Sequence, residues 1–235
     1  MTDAPNIVIL TGAGISRESG LATFRDADGI WQQVRIEDVA TPEAYLRDPA
    51  RVQAFYNARR AQLAEVAPNP AHLALADLDR RWPGGLLLVT QNVDDLHDRA
   101  GSRRLLHMHG ELRRAWCLAC DTTLGWDEDL SVATACPACA TIGRVRPHIV
   151  WFGEMPLHMD AIEAALARCD LFVSIGTSGN VYPAAGFVAE VRGRAETVEL
   201  NLEPSEGTHL FDRAIHGPAT RIVPDFVADL LARWA

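Results

Sequence analysis

Short, almost continuously apolar runs recur along this chain, and they constrain its fold more than any other feature. The runs are NIVIL, GLLLVT, LFVSIG and TVELNL, with TRIV as a weaker fifth, and helical patterns lie between them at Pro70 to Arg81, Leu157 to Arg168 and Pro224 to Trp234. Strands that are apolar on both faces belong in parallel sheets covered by helices. The sequence therefore predicts an α/β fold, with a Rossmann-like, mainly parallel sheet flanked by helices.

Four of these runs end in segments of polar residues and glycine. The segments are TGAGIS, TQNVDD, GTSGN and NLEP. Because the ligand crevice of an open α/β sheet lies beyond the carboxyl ends of its strands, we expect these segments to converge. Any one of them alone would be explained by a turn, since Gly, Asn, Asp and Ser are common turn residues. Four in succession favour a nucleotide site.

Two segments interrupt the alternation of strand and helix. Residues 29–70 are helical in pattern, and residues 113–148 contain two cysteine pairs. A chain of 235 residues suits one sizeable domain. We expect residues 1–28, 71–112 and 149–235 to form a large lobe of that domain, and the two interrupting segments to pack together as a small lobe beside a cleft.

The cysteine pairs CLAC and CPAC have the spacing of a structural zinc site. Fifteen residues, 121 to 135, separate the pairs, which contribute Cys117, Cys120, Cys136 and Cys139. Four thiolates complete a tetrahedron and leave no open position for a catalytic water. The sequence therefore predicts one structural Zn²⁺, whose binding can contribute on the order of 10–16 kcal/mol to the folding of a small lobe.

Charge and terminal sequence exclude several classes of partner. The formal net charge is -9 and no block of Lys and Arg is present, so nucleic acid is not an expected partner. The N-terminus, MTDAPNIVIL, has no basic leader, and no apolar run approaches the ~20 residues of a membrane span. We expect a soluble, cytoplasmic protein without a membrane partner.

The first loop indicates a dinucleotide but not an ordinary dehydrogenase. Gly12 and Gly14 follow a strand and precede a helix, where bare backbone N–H groups can receive a pyrophosphate. Arg17 stands where the usual fingerprint has a third glycine, and no acidic residue follows at the end of a second strand about 20 residues on. Asn201 or Glu203 is the candidate ribose-binding residue instead.

His107 and His109, in LLHMHGEL, lie just ahead of the cysteine segment and so near the expected cleft. Histidine is the side chain best suited to accept a proton near neutral pH. The chain has eight histidines, most of which should be surface or core residues. The residues alone do not distinguish His107 from His109.

Taken together and in this order, the motifs resemble the sirtuin family. They are TGAGISRESGLATFRDADGIW, TQNVDDLH, HMHGEL, the two cysteine pairs, VRPHIVWFGE, GTSGNVYPAA and NLEP, which span residues 11 to 204. The resemblance implies an NAD-dependent enzyme that removes acyl groups from lysine side chains of proteins. The products would be nicotinamide, free lysine and O-acyl-ADP-ribose.

The resemblance also implies a role for each matching residue. His109 would be the general base, and Phe152, Gly153 and Glu154 would pair with the backbone of the substrate peptide. Ala22 departs from the family, which often has Pro there. The loop from Gly12 through Phe24 and Arg25 would be a mobile cofactor-binding segment, in which Gly12, Ala13 and Gly14 hold the phosphates. The other implied NAD contacts are Gln91, Asn92 and Asp94 around the nicotinamide and its ribose, and Gly176, Thr177, Ser178, Asn201, Leu202, Glu203 and Ala219 at the adenosine.

Tyr56 and Arg59 are three residues apart in a segment predicted to be helical from about Arg51, so they share a face. A guanidinium beside a phenol suits a carboxylate. Spacing alone predicts only a core tyrosine and a solvated arginine. The resemblance implies more, because FYNARR is similar to the acyl-binding residues of sirtuins that remove succinyl and malonyl groups, and Ala40 matches a small residue that widens their pocket.

Two alternatives to a deacylase remain open at this point. A protein mono-ADP-ribosyltransferase would use the same NAD pocket, and transfer of label from NAD to protein without loss of acyl groups would identify it. A non-catalytic zinc-ribbon binding module would keep the cysteines but would not need His109.

Overall fold

The computed structural model describes residues 4–21 and 35–234. Its strands are β1 (Ile7–Thr11), β2 (Leu86–Thr90), β3 (Leu105–His107), β4 (Gly110–Cys117), β5 (Thr123–Gly125), β6 (Val145–Ile149), β7 (Leu171–Ile175), β8 (Glu196–Asn201) and β9 (Arg213–His216). Its helices are α1 (Ala13–Arg17), α2 (Pro42–Arg47), α3 (Pro49–Gln62), α4 (Pro70–Arg81), α5 (Leu96–Ala100), α6 (Met159–Leu166), α7 (Phe187–Val191) and α8 (Ala219–Trp234). No helix in the described ranges is both long and apolar enough to cross a bilayer.

The main sheet has six strands in the order β3-β2-β1-β7-β8-β9, and all of its pairs are parallel. This confirms the predicted Rossmann-like sheet. The order reverses direction between β1 and β7, which is where such sheets bind ligands. Thr11 at the end of β1 is level with Thr90 of β2 and with Ile175 of β7. The loops that follow these strands therefore leave the sheet side by side.

Both faces of the main sheet are covered, as its apolar strands require. Ile7 and Ile9 of β1 pack with residues of α4 and α8 on one face, whereas Val8 and Leu10 pack with α6 and α7 on the other. A strand buried on both sides has no polar face to show in its sequence. That is why the apolar runs identified the strands.

One predicted strand is wrong. TRIV, Thr220 to Val223, lies in the first turns of α8, which begins at Ala219 rather than at Pro224. The buried residues of α8 are Val223, Phe226, Val227, Leu230 and Leu231, which have helical spacing. Two strands of the main sheet were not predicted, the three-residue β3 and RAIH in β9, whose mostly exposed residues gave no apolar run.

Helices α2, α3 and α4 each begin at a proline that follows a capping residue. The side chains of Thr41, Asp48 and Asn69 accept hydrogen bonds from backbone N–H groups in the first turn of the helix that follows each of them. Proline is favoured at the first helical position because its missing N–H would have no partner there. These caps fix the start of α3, which carries Tyr56 and Arg59.

A second, three-stranded sheet has the order β5-β4-β6 and is antiparallel. We call it the small sheet. It spans residues 110–149, slightly more than the cysteine segment predicted from the sequence, and it packs against α3. The limits of the two lobes stay a prediction.

Candidate active site

Glycines allow the loops after β1 and β7 to touch. The backbone N–H of Gly14 donates to Gly176 O at 2.8 Å, and that of Gly12 donates to Ile175 O at 3.0 Å. A Cβ on Gly14 would lie 2.7 Å from Gly176 O, and Gly176 has a φ of +62°. Both N–H groups are therefore occupied, which corrects the expectation that they are bare phosphate donors. Ala13 begins α1, so its N–H has no acceptor within the helix.

A buried polar network joins the loops after β1 and β2. Ser16 Oγ donates to Asp94 Oδ2 at 2.9 Å and accepts from Asn92 Nδ2 at 3.1 Å, and Asn92 Nδ2 also lies 3.1 Å from Gly12 O. His72 Nδ1 accepts from the backbone N–H of Asn69, so its Nε2 carries the hydrogen and lies 3.4 Å from Ser16 Oγ. Each of these groups fixes the orientation of the next.

Burial changes the ionisation of this network. Burial raises the pKa of Asp94, although the Leu96 N–H and the Ser16 hydroxyl partly stabilise its carboxylate. Burial lowers the pKa of His72 to about 4, so its ring stays neutral at physiological pH. Asp94 is thus a poorly solvated carboxyl group connected through Ser16 Oγ to a neutral imidazole, an environment typical of functional sites.

The two histidines ahead of the small sheet differ in what their rings can do. His109 Nδ1 lies 3.0 Å from Gln91 O, which can only accept, so Nδ1 carries the hydrogen and Nε2 keeps a lone pair. Burial lowers the pKa of His109. Both ring nitrogens of His107 face acceptors, Asn92 O at 3.4 Å and Asp98 Oδ2 at 3.0 Å.

Burial alone would lower the pKa of His107, but the hydrogen bond to Asp98 and its charge raise it. With an acceptor in front of each ring nitrogen, the surroundings of His107 favour the protonated ring that donates from both nitrogens. Of the two rings, His109 is therefore the better placed to accept a proton, through its Nε2.

Asn201 brings together the segments expected to hold the adenosine. Its Nδ2 donates to Thr177 O at 2.8 Å, and its own carbonyl accepts from Gly217 N at 3.0 Å. Gln91 Nε2 donates to Thr177 Oγ1 at 3.2 Å, which links this region to the loop after β2. Ser178 adjoins Thr177. Leu202 and Glu203 are exposed after β8, and Ala219 is half-buried.

Tyr56 and Arg59 lie in different environments on α3. Tyr56 is buried, and its Oη accepts from Trp151 Nε1 at 3.0 Å. Because an indole N–H only donates, the phenol keeps its own hydrogen for another acceptor. Arg59 is half-buried, and burial lowers its pKa while Tyr56 and Asp94 oppose that change. Spacing alone had predicted a solvated Arg59.

The segment after β6 is a turn. Phe152 N donates to the carbonyl of buried Ala40 at 3.0 Å, and Gly153 has a φ of +91°. The carboxylate of Glu154 accepts from both terminal nitrogens of Arg146, at 2.7 and 2.9 Å, and from Trp151 N. The side chain of Glu154 is therefore part of the protein's own structure, and the expected pairing of this segment with a substrate peptide concerns its backbone. Its backbone remains a candidate.

The four cysteines of the small sheet form a metal site. Their Sγ atoms all lie within 4.8 Å of one another, and Cys117 with Cys139, and Cys120 with Cys136, are 3.8 Å apart. Ligands 2.3 Å from a tetrahedral zinc ion are separated by ~3.8 Å. The residues Asp121 and Ala140, four positions after the first cysteine of each pair, have φ near +60°. The donor set and its size fit one zinc ion.

The chain is similar to proteins of one family over most of its length. The Sir2 family profile matches residues 12–183. A Bdellovibrio bacteriovorus protein named NAD-dependent protein deacylase is 60% identical over 228 residues, 96% of this chain and 97% of that protein. This chain belongs to the Sir2 family.

Other Sir2 family members agree. An Escherichia coli K12 protein, also named NAD-dependent protein deacylase, is 54% identical over 232 residues, 97% of this chain and 83% of that protein. A solved structure of a Sir2 homologue with NAD has a TM-score of 0.89 and 35% identity, covering 99% of this chain and 91% of that one.

Sequence reasoning missed several residues of this Sir2 family site. Ser16 lies inside the TGAGIS motif, yet only the structure reveals its contacts with Asn92 and Asp94. His72 follows the Asn-Pro signal of α4, and the helical period predicts burial but not what its ring contacts. Phe24, Arg25 and Ala22, which the sequence analysis singled out, lie outside the described residues.

Proposed function

We propose that this chain is an NAD-dependent protein-lysine deacylase that removes acetyl and also succinyl and malonyl groups. Nicotinamide, free lysine and O-acyl-ADP-ribose are the products. The observation that carries the proposal is the lone pair on His109 Nε2, held by the Nδ1 hydrogen bond to Gln91 O in the crevice beyond β1 and β7. The names of the Sir2 relatives support the same activity.

In this proposal NAD is a co-substrate that supplies the leaving nicotinamide and the ribose that receives the acyl group. Asn92 and Asp94 bind the nicotinamide end, and their orientation is fixed through Ser16. Thr177 and Asn201 bind the adenosine end. The acyl oxygen would bond to the ribose carbon as nicotinamide leaves. His109 would then take the proton from the ribose hydroxyl that attacks the former carbonyl carbon, and addition of water would release lysine and O-acyl-ADP-ribose. The lowered pKa of His109 keeps its ring neutral for this step. The protein substrate contributes an acylated lysine.

The acyl preference rests on α3. Tyr56 has an O–H to donate, and Arg59 has a guanidinium that burial has partly removed from water. Two such donors suit the terminal carboxylate of a succinyl or malonyl group. Hydrogen bonds to charged groups contribute ~1.5–3 kcal/mol, and each step of about 1.4 kcal/mol is tenfold in affinity. Arg59 therefore accounts for roughly a ten- to hundredfold preference.

Arg59→Met tests this assignment. We expect kcat/KM for a succinyl-lysine peptide to fall roughly ten- to a hundredfold, and that for the matched acetyl-lysine peptide to fall far less, because acetyl has no carboxylate. Nicotinamide release with both peptides gives the two values. Arg51→Met, an exposed arginine on the same helix, is the control and should change neither. Equal losses on both peptides after Arg59→Met would contradict the carboxylate contact.

The wild-type protein tests the activity itself. Zinc-loaded protein should release nicotinamide only when NAD and an acyl-lysine peptide are both present. His109→Asn should abolish formation of O-acyl-ADP-ribose and steady-state release of nicotinamide while the protein stays folded. Transfer of label from NAD to protein, without loss of the acyl group, would instead identify a mono-ADP-ribosyltransferase.

A further inference from the structure

Helix α3 is attached to the small sheet by the side chain of Asn57. Asn57 Nδ2 donates to Leu130 O at 2.8 Å, and Asn57 Oδ1 accepts from Leu130 N at 2.9 Å. The amide thus pairs with both polar groups of one residue's backbone, as a neighbouring strand would. Such a paired contact fixes the rotamer of Asn57 and the position of α3 along its axis relative to Leu130.

Arg60 makes a second attachment beside the first. This guanidinium is 5% exposed, and its Nε donates to Leu112 O of β4 at 2.6 Å. One terminal nitrogen donates to Glu128 O at 3.2 Å and to Asn57 Oδ1 at 3.1 Å. A buried charge is costly to leave unpaired, so these contacts resist any rotation of α3 that would break them.

The contact partner of Asn57 is anchored at the zinc site. The Leu130 side chain is 2% exposed and packs in one cluster with Cys117, Cys136, Ala115 and Val145. The segment that pairs with Asn57 therefore belongs to the same small core as two of the zinc ligands. A continuous series of contacts leads from the zinc cysteines through Leu130 to α3.

The same turn of α3 carries the two acyl-binding candidates. Residues three apart on a helix are neighbours, so Tyr56 lies beside Arg59, and Asn57 lies beside Arg60. The first pair faces Trp151 and Asp94, and the second faces the small sheet. A small rotation of α3 would therefore move the Arg59 guanidinium relative to a bound acyl chain.

We propose that Asn57 and Arg60 are positioning residues that set acyl selectivity. They fix the rotation of α3 against the zinc-bound small sheet, and so hold Tyr56 and Arg59 in place at the acyl pocket. This inference rests on the proposed function, because it needs Arg59 to bind the acyl carboxylate. Neither positioning residue touches the substrate. Removal of an acetyl group does not depend on the rotation of α3, because an acetyl group has no carboxylate to contact the Arg59 guanidinium.

Asn57→Ala and Arg60→Lys test the proposal through the ratio of two activities. For each variant, kcat and KM are measured on succinyl- and acetyl-lysine peptides with one preparation, so the folded fraction cancels from the ratio. We expect the succinyl-to-acetyl ratio of kcat/KM to fall about tenfold, the equivalent of one charge-assisted hydrogen bond, mainly through a higher KM for the succinyl peptide. Zinc content should stay at one ion per chain.

The matched controls are Arg51→Lys, whose guanidinium pairs with Asp38, and Gln62→Ala, which is two residues from Arg60 and so about 200° around the same helix. Both should keep the wild-type ratio. If the ratio of Asn57→Ala and Arg60→Lys equals that of the wild type, whether or not both activities fall, these residues only stabilise the fold and the inference is wrong. If the wild type has no desuccinylase activity, or Arg59→Met leaves the ratio unchanged, the proposed acyl preference fails first and the inference fails with it.

Discussion

At the scale of single residues, two histidines only two positions apart have pKa values shifted in opposite directions. His107 and His109 are both largely buried, yet Asp98 raises the pKa of His107 and burial lowers that of His109. The sequence HMH could not separate them, because the deciding groups come from elsewhere: Asp98 from α5, and Gln91 O from the loop after β2. The family resemblance selected His109, and its free lone pair supports that choice.

The lowered pKa of His109 predicts where kcat/KM for deacylation should begin to fall on the acid side of its pH profile. A base must be neutral to accept a proton, and His109 becomes protonated only at a pH below the ordinary value of 6.5. We therefore expect kcat/KM for deacylation to fall on acidification with an apparent pKa below 6.5. Nicotinamide release measured from about pH 5 to 9 gives this limb.

The exposed His209→Gln is the control for that profile and should leave it unchanged. An acid limb centred above 6.5 would mean that another group carries the proton.

At the scale of elements, the position of His109 depends on the first residue of β4. Gly110 has a φ of +80°, and a Cβ there would lie 2.0 Å from His148 O of β6. No rotamer can relieve a contact between a Cβ and a backbone carbonyl, so β4 and β6 would have to separate. The glycine thus permits the close approach of two strands directly beside His109.

Gly110→Ala should therefore be severe. We expect a loss of roughly 3 kcal/mol or more in the free energy of unfolding, from backbone strain and the clash together, with near-complete loss of deacylation. Urea unfolding and nicotinamide release measure the two effects.

Two other glycines separate the causes of that loss. At Gly101, with a φ of +99°, a Cβ would meet nothing within 4 Å, so Gly101→Ala carries the strain without the clash. At Gly125 a Cβ would also meet nothing within 4 Å, and Gly125→Ala should be almost neutral. A Gly110→Ala protein as stable as Gly101→Ala would refute the clash.

The elements that the sequence predicted were those with one dominant physical signal. Strands buried on both faces gave apolar runs, and α4 gave a cap, a proline and a helical period. Strand β9 lies at the edge of the sheet with exposed side chains, and β3 and β5 have three residues each, too short for any period. TRIV was assigned wrongly because a segment of four residues is too short to distinguish the strand period of two residues from the helical period of 3.6.

At the scale of the whole molecule, ion pairs of one arginine connect the small sheet to the loop after β2 of the main sheet. Arg113 of β4 lies 2.7 Å from Asp95 in the loop after β2 and 2.6 Å from Asp127 of the small sheet. Asp95 follows Asp94 directly. The spacing of the cysteines predicted the metal site, and the family resemblance supplied the NAD-binding candidates, but neither indicated these connections, which depend on how the two sheets meet.

Removal of zinc should therefore abolish activity on every acyl group. Two of the five buried residues in the small-sheet core are cysteine ligands, so little apolar burial remains without the metal. We expect chelation to change the fluorescence of Trp116 and Trp126 and to stop nicotinamide release, while the circular dichroism of the main sheet is mostly kept. Cys169→Ala, in a different core, should keep its zinc. Full activity in metal-free protein would show that zinc has no structural role.

Strands β1, β2 and β7 end at the same level, so the loops of the candidate site leave the sheet side by side. Insertions and deletions should therefore be tolerated less at this end of the sheet than at the other. An inserted residue at the amino ends of the strands, for example between α7 and β8, lengthens a connection at the end of the sheet opposite to the candidate site. A residue deleted within β1 would withdraw its loop by roughly 3.3 Å and reverse which side chains face each layer. Insertions and deletions among relatives should therefore accumulate in the connections at the amino ends of the strands and be nearly absent in the loops at their carboxyl ends.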